Sequence, residues 1–185
     1  LNDIKVMRAL GKRSAGLYIL TKTLTDKILN DYYFIREIVT YENIRFLKKS
    51  KSKYYLDKNI YFHDLKKRNR DWIDHYGIEF YPDEILDDKG FIKKAIEVNP
   101  VIVFFAGKIV CNDKKLINFG LQQFIKKTKK ISKVHRLGAC PDIKKNSPIR
   151  KFLNDKNLVK ELIMYAPKIF ESISVELKKD KELTL

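Results

Sequence analysis

PVIVFFAGKIVCND, residues 100–113, sets branched and aromatic side chains at most positions between Pro100 and the polar pair Asn112-Asp113. A run of that composition, bracketed by breakers, predicts a buried β-strand. Gly107-Lys108 divides it, so the segment reads as one bent strand or a tight hairpin. Just upstream, Ile78-Glu79-Phe80-Tyr81 alternates apolar and polar side chains and predicts a second, short strand.

Helical periodicity dominates on either side. From Leu17 to Phe46 apolar residues recur every three or four positions, and Asp3 to Leu10 reads as a separate short helix before the breaks at Gly11 and Gly16. A helix is predicted from Phe62 to Tyr76, with Gly77 as its C-cap, and another from Phe91 to Val98 after the turn at Asp87-Asp88-Lys89-Gly90. Asp113 caps a predicted helix from Lys114 to about Ile131, with Leu116, Ile117, Phe119, Leu121, Phe124 and Ile125 on its apolar side. Residues 133–146 read as loop. Ser147-Pro148 then opens a short helix that Asn154-Asp155 breaks. A last helix from Leu158 to Lys179 is expected to kink at Pro167. The fold class expected is therefore α+β: a predominantly helical single domain, residues 1–185, with a small central β-sheet or hairpin. Its parts are a helical segment 1–47, a basic loop or arm 48–61, and an α+β part 62–185.

Charge bears most directly on function. Thirty-nine Lys and Arg oppose 23 Asp and Glu, a formal net charge of +16 on 185 residues. That excess repels itself and predicts a polyanionic partner, nucleic acid before an anionic membrane. Lysine supplies 31 of these cations and arginine 8. Ammonium groups contact phosphate without the forked geometry that reads base edges, so backbone contact should outweigh base recognition. Lys, Ile and Asn are all spelled by A/T-rich codons, and a coding bias is the competing source of the lysines. A hydrophobic fraction of 44%, with 12% aromatics, is enough for a real core and excludes disorder throughout. No apolar run reaches the ~20 residues of a membrane span, and Leu1 to Lys12 has no signal-peptide core. Cys111 and Cys140 lack metal-ligand spacing and read as reduced structural thiols in an intracellular protein of the cytoplasm, nucleus or nucleoid.

Three basic clusters are candidate nucleic-acid contacts. The first interleaves Lys48, Lys49, Lys51, Lys53, Lys66, Lys67, Arg68 and Arg70 with rings including Tyr54 and Tyr55. Cations there would neutralise phosphates while exposed rings stack on unpaired bases; the bland alternative buries the rings. The second is Lys126, Lys127, Lys129, Lys130 and Arg136, at a helix C-terminus whose dipole favours cations in any case. The third, Lys144, Lys145 and Arg150, lies near the helix start at Pro148.

The sharpest enzymatic expectation is a Mg²⁺-dependent nuclease. Such enzymes gather carboxylates around a divalent ion and add a lysine. Pro82-Asp83 followed by Asp113-Lys114-Lys115 fits a Pro-Asp, then acidic-x-Lys pattern, naming Asp83, Asp113 and Lys115 as catalytic candidates, with Glu97 as a further ligand. In a large nuclease superfamily that second piece lies within a strand, whereas here it reads as a helix cap. Asp64-Leu65-Lys66 and Asp87-Asp88-Lys89 fit it equally, and caps or turns account for the same carboxylates. Outside that reading no cofactor or metal site is expected. The function expected first is phosphate-backbone binding with aromatic stacking. The alternative is a non-catalytic subunit that docks an acidic protein, within a larger complex, or a membrane surface.

Overall fold

The computed structural model describes residues 30–38, 47, 52–68, 77–130, 143 and 146–183. The helices expected before residue 30, the expected helical stretches at 39–46 and 69–76, and most of the loop expected at 133–146 lie outside them. The described part is helical, with no strand and no sheet. Its α-helices are α1 (Tyr32–Ile38), α2 (Lys58–Arg68), α3 (Asp83–Leu86), α4 (Lys89–Val98), α5 (Lys114–Thr128), α6 (Lys156–Tyr165) and α7 (Val175–Lys178). Among the described residues no helix is long and apolar enough to cross a membrane.

The expected central sheet is therefore corrected. Pro100–Phe105 is a 3-10 helix, Val110–Asn112 is another, and so is Ile78–Phe80. The physical reason lies at the start of the run. Asn99 Oδ1 accepts a hydrogen bond from the Val101 amide at 3.3 Å, and Pro100 occupies the first helical position, where its missing N–H is no loss. The following amides close locally, Ile102 N–H to the Asn99 carbonyl (3.2 Å) and Ala106 N–H to the Val103 carbonyl (3.3 Å). No neighbouring strand is then needed to satisfy the backbone. Pro100 to Phe104 are all buried. An apolar run enclosed on every side has no polar face to reveal its period, so it resembles a buried strand in sequence.

This segment is the hub of the fold. It packs between α4 and α5 and touches the 3-10 turns at 78–80 and 148–154. Phe104 meets Phe124 of α5 edge to face, with ring centroids 4.9 Å apart. Val103 fills the space that Gly120 leaves on α5: a Cβ there would lie 2.6 Å from Val103 Cγ2 and 2.9 Å from Ile96 Cδ1 of α4. Elsewhere, α6 packs on α5, and α2 packs on α4 and α1.

Other boundaries also move. α2 begins at Lys58, inside the expected basic arm. Asp88 caps α4 by accepting from the Phe91 amide, so Lys89 and Gly90 are helical rather than turn. Pro167 ends α6 instead of kinking it, and the expected long last helix is three pieces: α6, a 3-10 turn at Pro167–Ser172, and α7. Cys111 is buried and free, its Sγ 3.5 Å from the Ala106 carbonyl; burial pushes its thiol up to about 11. It is protonated at neutral pH, as a structural thiol should be.

Gly120→Ala tests the hub. Helix propensity favours alanine by about 1 kcal/mol, whereas overpacking a filled core costs about 1–3 kcal/mol. Because Val103 Cβ itself lies 2.9 Å from the added atom, the rigid part of that side chain is in the way. The variant should melt several degrees below the parent, at about 2–4 °C per kcal/mol. A melting temperature at or above the parent's, by circular dichroism, would contradict the close approach.

Candidate nucleic-acid interface

α5 has two unlike sides. Ile117, Gly120, Leu121, Phe124, Ile125 and Thr128 are buried against the hub and its neighbours. Lys115, Phe119, Gln122 and Lys126, spaced four, three and four residues apart, share the opposite, exposed face, with Asn118 beside them. From Lys114 to Thr128 there is no Asp or Glu. Lys115 and Lys126 stand about 17 Å apart at 1.5 Å per residue. Just past the helix end, Lys130 is also exposed.

At that end the face opens into a cleft lined by Ile96, Glu97, Pro100, Gln123, Lys126, Lys127 and Lys130. Lys127 is half-buried and donates to the Val98 carbonyl at the end of α4, 3.3 Å away; burial lowers its ammonium pKa. Lys129 points elsewhere. It pairs with Glu161 of α6 at 2.8 Å and lies 5.4 Å from the centre of the Tyr165 ring, and the Glu161 hydrogen bond raises its pKa. Of the four lysines expected here, three line the cleft and one ties α5 to α6. Arg136 lies outside the described residues.

The first basic cluster is differently employed. Lys48, Lys49, Lys51 and Arg70 lie outside the described residues, and Arg68 is the last residue of α2. Lys53 is exposed with its ammonium 5.0 Å from the Tyr54 ring centre, and Lys66 lies similarly over Phe62 at 4.8 Å. Lys67 is half-buried and donates to the Arg36 carbonyl. The two tyrosines expected to stack on bases are only partly exposed. Tyr54 donates to the Asn30 carbonyl at 3.0 Å and packs edge to face on Tyr32. The Tyr55 carbonyl accepts from Tyr61, which is fully buried, and burial followed by Glu84 and Asp83 raises the Tyr55 phenol. In the third cluster Lys144 and Lys145 are outside the described residues. Arg150 sits in the 3-10 turn Pro148–Asn154, its Nε buried with no hydrogen-bond partner among the described residues.

Of the carboxylates that fit the nuclease pattern, Asp87, Asp88 and Asp113 accept hydrogen bonds from backbone amides. Asp113 accepts from the Leu116 amide at 3.1 Å, capping α5, and pairs with Lys89 at 3.3 Å. Asp83 opens α3 and is exposed, as is Lys115 on α5. Asp87 accepts from the Ile109 amide at 2.8 Å, Asp88 caps α4 and pairs with Lys58, and buried Asp64 accepts from the Tyr81 hydroxyl at 2.8 Å. Among the described residues no three His, Cys, Asp or Glu side chains gather to hold a metal ion.

Phe119, Asn118 and Gln122 are absent from the expected site. Phe119 falls on the side expected to be apolar, yet it is exposed, and Asn118 and Gln122 carry no charge to draw notice. The readable signal is the absence of any acid from a fifteen-residue helix. The chain matches no known protein family, and neither a curated protein nor a solved structure proves similar to it.

The two capping carboxylates give a pH test. Asp88 lies below its ordinary 3.8 because of Lys58 and then the Phe91 amide; Asp113 lies below the same value because of the Leu116 amide and then Lys89. A pKa depressed by folding contributes stability above the unfolded value, and that contribution is lost as pH falls through the folded one. Asparagine still caps but does not titrate. The doubly substituted Asp88→Asn, Asp113→Asn protein should therefore lose stability less steeply below pH 3.8 in urea titrations across pH. An acid limb as steep as the parent's would mean these caps are not formed.

Proposed function

We propose that this protein binds nucleic acid by its phosphate backbone along the exposed face of α5 and into the cleft at its end. One contrast carries the reading. Several lysines elsewhere are neutralised within the protein: Lys58 by Asp88, Lys89 by Asp113, Lys129 by Glu161, and Lys156 by Asp180 and Glu182. Lys115, Lys126 and Lys130 form no ion pair among the described residues, although Glu97 lines the cleft beside the last two, and the helix that carries the first two has no acid of its own. An array of unneutralised ammonium groups over a distance of several phosphates binds a polyanion by releasing its counterions. Asn118 and Gln122 add neutral donors suited to phosphate and sugar oxygens. With lysine rather than arginine on this face, recognition is of the backbone, with little sequence preference. The reading requires neither metal nor cofactor, and it places the protein inside the cell, where such polymers are found.

An acidic polypeptide would also satisfy free ammonium groups, so polymer identity has to be measured. Binding of DNA and RNA oligonucleotides should fall steeply with salt, and poly-glutamate of equal charge should compete poorly. Replacing Lys115, Lys126 and Lys130 with glutamine should reduce the slope of log K against log salt by about 2–3, at 0.7–0.9 for each phosphate contact. Glutamine at Lys108, Lys168 and Lys179, which are exposed elsewhere, removes the same charge and should leave the slope nearly intact. Equal effects from the two sets would mean that net charge, not this face, attracts the polymer.

A further inference from the structure

We infer that the polymer on the α5 face is single-stranded, with one of its bases stacked on the ring of Phe119; this rests on the phosphate-binding reading of the same face. Phe119 is 39% exposed. Every other phenylalanine among the described residues is buried or packed against the core. Several partly exposed rings carry a lysine: Tyr54 under Lys53, Phe62 under Lys66, Phe152 under Lys151 and Tyr165 under Lys129. Among the described residues Phe119 has no such cover and no ring partner, although Lys115 stands one turn before it.

The placement suits one kind of polymer. Phe119 lies between Lys115 on one side and Gln122 and Lys126 on the other, all on one exposed face. A strand whose phosphates follow the two lysines passes directly over the ring. In a duplex each base face is covered by its neighbours, so a ring on a helix surface meets only phosphate and sugar. An unpaired strand can turn a base onto the ring, removing two apolar surfaces from water. The stack is indifferent to base identity, in keeping with lysine contacts that read no sequence.

The test measures the parent, Phe119→Leu and Phe119→Trp against an oligonucleotide of about 15 nucleotides, long enough for typical single-strand sites, and against its duplex at matched salt. The parent should prefer the single strand. Phe119→Leu should lose about 5- to 100-fold on the single strand, change duplex binding less than about twofold, and keep its salt slope, because the phosphate contacts remain. Phe119→Trp should recover the loss. Both variants should melt like the parent, since the position is exposed. Unchanged single-strand affinity in Phe119→Leu, or equal losses on both polymers, overturns the stacking inference while leaving the phosphate-binding reading in place. Failure of the parent to bind either polymer overturns both.

Discussion

Enclosure of Pro100–Phe105 between α4 and α5 is the constraint on which the rest of the described fold depends. A buried backbone segment must satisfy its polar groups, and this one does so with the Asn99 side chain and its own short-range hydrogen bonds. It thereby needs no neighbouring strand and can be surrounded by helices on all sides. Gly120 allows α5 to close against Val103, and Phe124 receives Phe104. Asp87 then fastens the turn that follows, and a side chain at Gly107 would overlap the Asp87 carboxylate.

Elements with one wet and one dry face were legible in the sequence. α4 and α5 show the helical period because half of each meets water, and Asp113 marks the start of α5 unmistakably. The hub reads as strand in the sequence for the opposite reason: burial removes the alternation from which period is inferred. The decisive marks were nonetheless present, an asparagine directly followed by proline, which is a helix-start pair. Pro167 shows the limit of periodicity in another way, since apolar spacing continues past it while the hydrogen-bonded helix does not.

The candidate site was partly legible, and on charge alone. Lys126, Lys127 and Lys130 were found because they cluster, and they do meet in one cleft. Phe119 reads as core in the sequence because an aromatic ring on a helix usually is. Sequence does not show which rings are held by neighbours, as Tyr54 is by the Asn30 carbonyl and Tyr32. The lysines themselves fall into two populations. One group ties element to element, such as Lys58 to Asp88 across α2 and α4, where exposed pairs contribute little stability each. The other is exposed with no ion pair among the described residues: it includes Lys115 and Lys126 on α5 and also Lys108, Lys168 and Lys179 elsewhere. Composition counts both alike.

Because α5 presses one side into the hub and turns the other to water, its outer groups sit on a backbone that has no slack. Lys115 and Lys126 are graduations about three turns apart on one rod, fixed by the same contacts that close the interior. A loop-borne set of cations would reshape itself around its ligand; this set would not, and any flexible chain laid along it would have to supply the accommodation.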